Sequence, residues 1–336
     1  RLVGSEMCIR DRYYYIVMNI TRVIRYKKFH YLTRSGKRLM DPRKIAYLNT
    51  IKIPATYTDV AMTTNKRAKV VGTGKDKTGK TQYFYNKTWV AQTSREKYCA
   101  LIAFGKALPH IMASVEINLR SGSREARAYY ISVIVKIIML CNFRIGNHNN
   151  TNDGITDISL KNVMIKRNTV KISFIGKKGQ LNECHITEPS LKRIIRYLYK
   201  HNHDSEHFFS FVDACGKIIR IRHTDVNNFL KTFGPFTAKM FRTWNANILY
   251  LDYIRKHLDG EDLSRVSKAA ITHACTLLHN TEAICKKNYL IPELIEEIAD
   301  NSPNIHSLLA SLKRGSVKTE YLLIKYLRKN YLIKSL

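Results

Sequence analysis

The hydrophobic period of this chain changes partway along, and that change constrains the fold more than any single motif. From Ile20 to about Asn86 the apolar residues come in short alternating runs, such as Thr58 to Thr63 and Lys69 to Thr73, broken by Gly, Pro and Asp. Gly74-Lys75-Asp76-Lys77-Thr78-Gly79 then leads into Thr81-Gln82-Tyr83-Phe84-Tyr85 as the turn and second strand of a hairpin. From Ser94 to about Asn118 the spacing becomes helical, with Thr93 and Glu96 as a capping box. Arg124 to Asn142 reads as a buried helix. Three strand-like segments follow at Asn162 to Lys166, Thr169 to Ile175 and Leu181 to Thr187, the last two joined by Gly176-Lys177-Lys178-Gly179. Helical patterns return at Pro189 to Asn202, His223 to Thr232, Thr237 to Leu258, Glu261 to Leu278 and after Glu282. The expected class is α+β. A small N-terminal antiparallel β domain (18–90) precedes a larger, mostly α-helical domain (91–336) with a small three-stranded sheet, the boundary falling between Lys87 and Thr93.

Residues 1–12 stand outside this reading. Glu6-Met7-Cys8-Ile9-Arg10-Asp11-Arg12 back-translates to GAG ATG TGT ATA AGA GAC AG, the pattern of a transposon-end sequencing adapter, so Arg1 to Arg12 is set aside as an artefact of assembly. The longest apolar stretch, Tyr129 to Cys141, is interrupted by Lys136 and is shorter than the roughly 18 to 20 residues of a bilayer span. No membrane association is expected. The 7 cysteines include no Cys-x-x-Cys pair, which argues against a disulfide framework or zinc ribbon and leads to an expectation of reduced thiols. With 57 Lys and Arg against 26 Asp and Glu, the formal charge is +31, spread over the whole length. Such a field attracts polyanions, nucleic acid first. A basic protein encoded by an A+T-rich genome is the plainer alternative.

There is no Gly-x-x-x-x-Gly-Lys-Ser/Thr phosphate loop, no His-Glu-x-x-His helix and no spaced acidic cluster for two magnesium ions. Chemistry on a phosphodiester would therefore fall to Arg, Lys, His and a hydroxyl nucleophile, without ATP, metal or other cofactor. Four segments carry such groups: Phe143-Arg144-Ile145-Gly146-Asn147; Gly176-Lys177-Lys178-Gly179; Lys239-Met240-Phe241-Arg242; and Leu278-His279-Asn280-Thr281 followed by Cys285-Lys286-Lys287-Asn288-Tyr289. Each has a duller explanation. Arg144 opposes a helix dipole, Lys177 and Lys178 are solvated turn residues, Arg242 is a surface charge, His279 or Asn280 caps a helix, and Tyr289 fills a core.

In that order these segments resemble the small type IB DNA topoisomerases of the poxvirus, giant-virus and bacterial group, from about Ile20 to the C-terminal region. Ile53-Pro54, Thr58-Asp59-Val60 and Gln82-Tyr83-Phe84-Tyr85 fit as well. The resemblance implies the catalytic fold shared by tyrosine recombinases and type IB topoisomerases, and relaxation of supercoiled DNA by transient single-strand cleavage and religation. It implies Tyr289 as the nucleophile of a 3′-phosphotyrosyl intermediate. Arg144 and Arg242 would donate to the non-bridging oxygens, Lys177 would protonate the leaving 5′ oxygen with Lys239 as a helper, and His279, or Asn280 in its place, would add a third contact. Tyr83, Tyr85, Gln82, Lys178 and Lys80 would bind DNA. A phenol of pKa near 10 is only about one part in a thousand ionised at pH 7, a handicap of roughly 4 kcal/mol, which the cations must offset.

Two departures from the family pattern stand out: Glu282 where Pro is usual, placing a carboxylate near the cations unless it points away, and Gln180 where a basic residue is usual. The rivals are a tyrosine recombinase and a catalytically silent DNA-binding or packaging protein. Lys239, where the recombinase box has His, and the β-rich N-terminal part oppose the first rival. The expected partner is double-stranded DNA, held by a monomer acting as a clamp. A cytoplasmic site or virion suits the missing targeting segment, with nuclear entry open for so basic a chain.

Overall fold

The computed structural model describes residues 18–26, 28–121, 126–146, 154–176, 179–258 and 262–332. The set-aside residues 1–12 fall outside these, as do Lys177 and Lys178. The chain divides into two compact units between Lys97 and Tyr98.

In the first unit, strands β1 (Ile20–Arg25), β2 (Lys28–Thr33), β3 (Thr58–Met62), β4 (Val70–Lys75) and β5 (Thr81–Tyr85) form an antiparallel sheet in the order β2-β1-β3-β4-β5. Ile20, Tyr31, Leu48, Ile53, Val60 and Met62 make its core, with Phe84 packed against them. Alternation explains the choice: Val60 and Met62 point inward while Asp59 is exposed. The expected β4–β5 hairpin is present, its turn closed by Asp76 Oδ1, which accepts from Thr78 N at 2.9 Å and Lys80 N at 3.1 Å. Helix α1 (Pro42–Thr50) is an addition to the strands expected in this mostly β region. Its signal was legible: Asp41 caps it by accepting from Arg43 N and Lys44 N at 2.9 and 3.2 Å, and Pro42 occupies the first turn.

Helix α2 (Lys87–Ser121) carries the chain into the second unit. It starts six residues before Thr93. Asn86 Oδ1 accepts from Thr88 N at 3.0 Å, whereas Thr93 Oγ1 donates back to Trp89 O at 2.9 Å inside the helix, so the expected capping box is not one. By length and composition α2 is able to cross a membrane. Its apolar side chains Leu101, Phe104, Ile111 and Val115 are buried in the core of the second unit.

The second unit continues with α3 (Arg127–Cys141), β6 (Val163–Ile165), β7 (Val170–Ile175), β8 (Leu181–Ile186), α4 (Pro189–Lys200), β9 (Ser210–Val212), β10 (Ile218–Arg220), α5 (His223–Lys231), α6 (Ala238–Lys256), α7 (Leu263–Leu277), α8 (Glu282–Asn288), α9 (Pro292–Ala299), α10 (His306–Arg314) and α11 (Thr319–Leu327). The molecule is thus α+β, as expected: an N-terminal five-stranded sheet, then a mostly helical unit with a three-stranded sheet β6-β7-β8. The two-stranded ribbon β9–β10 is too short to leave a periodic signal. Helix α6 is buried nearly all round and packs against α3, α7 and α11. Gly105 of α2 lets the Trp244 ring of α6 come close against the helix; a Cβ at that position would sit 2.3 Å from the indole ring.

The expectation of reduced thiols fails at one pair. Cys141, the last residue of α3, is joined to Cys184 in β8 by a disulfide, with Cα atoms 5.6 Å apart. A separation of 43 residues with no motif spacing conceals this pairing, which arises only when the end of α3 packs against the sheet.

Candidate active site

The C-termini of α3 and α7 meet beside α6. Each ends in a left-handed residue, Asn142 at φ 55° and His279 at φ 53°. At α7 the turn is a Schellman motif, in which His279 N donates to Thr276 O and Asn280 N to Cys275 O, both at 3.0 Å. Two helix ends thus present carbonyls, and partial negative charge, to the same space.

Arg242 of α6 fills that space and is only 2% exposed. Its Nη1 donates to Asn142 O, its Nη2 to Leu278 O at 2.8 Å, and its Nε to Tyr289 Oη at 3.3 Å, with the guanidinium carbon 4.9 Å from the centre of the phenol ring. A buried cation needs such compensation. Burial lowers its pKa from the ordinary arginine value while the neighbouring Tyr289 raises it. Three of its donors are engaged, leaving one N–H on each Nη.

Arg144 follows two residues after Asn142. Its backbone is pinned by Ile155 N, which donates to Arg144 O at 2.8 Å, and its Nη2 donates to Asn280 Oδ1 at 2.5 Å across 136 residues of sequence. The other end of that amide, Asn280 Nδ2, is buried and has no hydrogen-bond partner among the described residues. His279 is placed differently. Its Nε2 lies 3.3 Å from Cys141 O and its ring packs on Phe143, 5.4 Å between centres. Burial, with Arg242 and Arg144 nearby, lowers its pKa below the ordinary histidine value despite the carbonyl contact.

Tyr289 ends α8 and is 6% exposed. Burial pushes its phenol up, but the charges of Arg242 and Arg144 outweigh burial and hold it below the ordinary tyrosine range. Its backbone carbonyl accepts from Asn247 Nδ2 at 2.9 Å, and Asn247 Oδ1 accepts from Ile291 N at 3.1 Å. Asn142, Asn245 and Asn247 were not singled out from sequence. Their only signal is polarity inside segments that are otherwise buried.

Tyr289 faces a cavity of about 650 Å³ that Arg144, Gln180, Lys239, His279, Asn280, Thr281, Ile284 and Asn288 also line. Of the expected site residues, Arg144, Arg242, Lys239, His279, Asn280 and Tyr289 are therefore brought together. Lys177 and Lys178 lie outside the described residues; on either side of them, Gly176 N donates to Gln180 O at 2.8 Å and Gly179 takes φ 72°. Glu282 points away from the cavity. It accepts from Thr272 Oγ1 at 2.5 Å and pairs with Lys286 Nζ at 3.6 Å, and the Thr272 bond holds its carboxyl below the usual range. Among the described residues no group of three or more His, Cys, Asp or Glu is placed to hold a metal ion.

The remaining expected contacts lie on β5 and its turn in the first unit. Gln82 Nε2 donates to Asp76 Oδ2 at 2.7 Å, which helps hold that carboxyl down at about 2. Tyr85 stacks on Trp89 at 4.9 Å, Tyr83 is half-buried, and Lys80 is exposed.

Known proteins resemble the chain over most of its length. Residues 86–315 match the family described as eukaryotic DNA topoisomerase I, catalytic core. The DNA topoisomerase 1B of Acanthamoeba polyphaga mimivirus is 25% identical over 289 residues, 82% of this chain and 85% of that protein. The DNA topoisomerase 1B of vaccinia virus (strain Copenhagen) is 21% identical over 270 residues, 76% and 82% of the two chains. The family match spans most of the chain and includes every residue of the cavity, and on that ground the chain belongs to the DNA topoisomerase I catalytic-core family, as an enzyme of type IB.

Proposed function

We propose that the chain relaxes supercoiled duplex DNA through a covalent 3′-phosphotyrosyl intermediate, with no requirement for ATP or metal. Tyr289 Oη loses its proton to solvent water and bonds to phosphorus, the bond from phosphorus to the 5′ oxygen breaks, and that oxygen takes a proton from Lys177, aided by Lys239. The free 5′ hydroxyl later attacks the phosphotyrosine and restores the strand. Because the covalent bond conserves the energy of the one broken, resealing needs no nucleotide.

The observation that carries this reading is the depressed phenol of Tyr289, held against Arg242 at 3.3 Å in one cavity with Arg144 and Asn280. Arg144 and the remaining N–H groups of Arg242 serve the non-bridging oxygens, where charge grows in the five-coordinate transition state. Asn280 takes the third contact, through the Nδ2 that has no partner among the described residues, and His279 shapes the turn that aims it. The enzyme acts as a monomer that clamps double-stranded DNA, with Tyr83, Tyr85, Gln82 and Lys80 of the first unit and Lys178 of the second touching the duplex. It works in a cytoplasm, viral factory or virion.

The test is incubation with supercoiled plasmid in EDTA without nucleotide. Relaxation of both positive and negative supercoils is expected, together with a protein–DNA adduct that Tyr289→Phe cannot form. Strict dependence on magnesium, or an adduct that survives in Tyr289→Phe, overturns the proposal.

A further inference from the structure

We propose that Asn245 is a positioning residue for cleavage, acting through Asn142 to hold both arginines of the site in register. The inference rests on the covalent mechanism above and assigns the groups that pre-arrange it.

Asn245 lies one helical turn after Arg242 on α6, on the same side of the helix, and is 7% exposed. Its Nδ2 donates twice, to Met139 O at 2.9 Å and to Asn142 Oδ1 at 2.7 Å. Asn142 Nδ2 in turn donates to Leu277 O at 3.4 Å. Met139 and Leu277 belong to the last turns of α3 and α7, where carbonyls lack partners within their own helix. The two amides thus cross-link α6, α3 and α7, the three helices that lead to Arg242, Arg144 and Asn280.

Asn142 is the junction. Its backbone is left-handed, its carbonyl anchors Arg242 Nη1, and the chain reaches Arg144 two residues later. Rotation of residue 142 would move the carbonyl that anchors one arginine and redirect the segment that carries the other. Asn245 opposes that rotation by gripping the side chain. An apolar residue of similar size would fill the volume but leave the carbonyl of Met139 and the amide of Asn142 without their donor. Displacements of about 1 Å at such a site cost on the order of a hundredfold in rate.

The experiment is single-turnover cleavage of a duplex whose short downstream fragment, ending in the 5′ hydroxyl, leaves after cutting, using the full chain as parent, Asn245→Ala, Asn142→Gly and the double variant. Glycine at 142 adopts the left-handed backbone without strain, so this variant deletes only the bridge. Each single variant is expected to cleave roughly tenfold to a hundredfold more slowly than the parent. The amount of adduct at completion and the affinity for uncleaved duplex should stay at parental levels, and the double variant should be no slower than the slower single one. Residues acting through one another show such non-additive losses, whereas independent structural defects multiply. Rates within about twofold of the parent, multiplying losses, or a loss seen only as less adduct at an unchanged rate overturn the inference. A parent that forms no adduct overturns the proposed mechanism instead, and the inference with it.

Discussion

Tyr289 is pulled in two directions, and the balance sets how the enzyme should respond to pH. Burial raises its phenol while Arg242 and Arg144 lower it, and the arginines win. Cleavage should therefore accelerate with rising pH and level off below pH 10, because the phenolate forms earlier than in a free tyrosine. In Arg144→Gln one lowering charge is gone but the burial remains, so the midpoint should move up, by a factor of about ten in neutral-pH rate for each pH unit moved. A pH profile of single-turnover cleavage checks this; a rate reduced equally at every pH would mean that Arg144 acts on the phosphate alone. The neighbouring pair can be separated in the same assay. His279 occupies a left-handed position that glycine fits, so His279→Gly removes the imidazole while sparing the turn. It should lose less than about fivefold, whereas Asn280→Ala should lose roughly tenfold to a hundredfold with the amide that faces the cavity. Sequence alone placed both residues at the helix end but left open which one faced the site. Both line the cavity, and the left-handed φ of His279 that orients the pair is something no spacing records.

Elements position these side chains by packing, which can be tested far from the cavity. Alanine at Gly105 would favour helix α2 by about 1 kcal/mol on propensity. Its Cβ would, however, meet the buried ring of Trp244 at 2.3 Å, and Trp244 sits two residues after Arg242 on α6. Overpacking of that kind costs about 1 to 3 kcal/mol, so Gly105→Ala should lower the melting temperature and slow cleavage as α6 shifts. An unchanged or raised melting temperature would show that the indole can move aside freely. The long helices, strands β3 to β5 and the three-stranded sheet were legible because their periods repeat over enough residues. What escaped was set by single residues or by long-range contact. Asp41-Pro42 starts a short helix among strands, Asn86 rather than Thr93 starts α2, and the Cys141–Cys184 bond joins segments that only the fold brings together. The cavity was legible to a larger extent, since Arg144, Arg242, the 279–280 pair and Tyr289 carry the charged and nucleophilic chemistry. The asparagines that hold them carry none, and polar residues of that kind are indistinguishable in sequence from surface positions.

At the scale of the whole molecule, charge is shared unevenly by length. Residues 18–97 hold 19 Lys and Arg against 4 Asp and Glu, while residues 98–336 hold 35 against 20. The excess is 15 in each, although the first unit is about one third as long as the second. A sheet of that size needs no such charge to fold, and mutual repulsion opposes its compactness. Its value lies in association with a polyanion, where every phosphate neutralised releases counterions and steepens the dependence on salt by about 0.9 in the logarithmic slope. Lys77 and Lys80 sit on the exposed β4–β5 turn of the first unit, and neither is among the residues that line the cavity. If both reach phosphates, Lys77→Gln with Lys80→Gln should reduce the slope of log affinity against log salt by about 2 and weaken binding by a similar factor on every duplex sequence. The cleavage rate at saturating DNA should stay parental, because neither side chain belongs to the reacting cluster. Filter binding across a salt series and single-turnover cleavage on one preparation read the two quantities separately. An unchanged slope would assign these lysines to solvent, and a reduced saturated rate would mean that the first unit also helps to assemble the catalytic geometry.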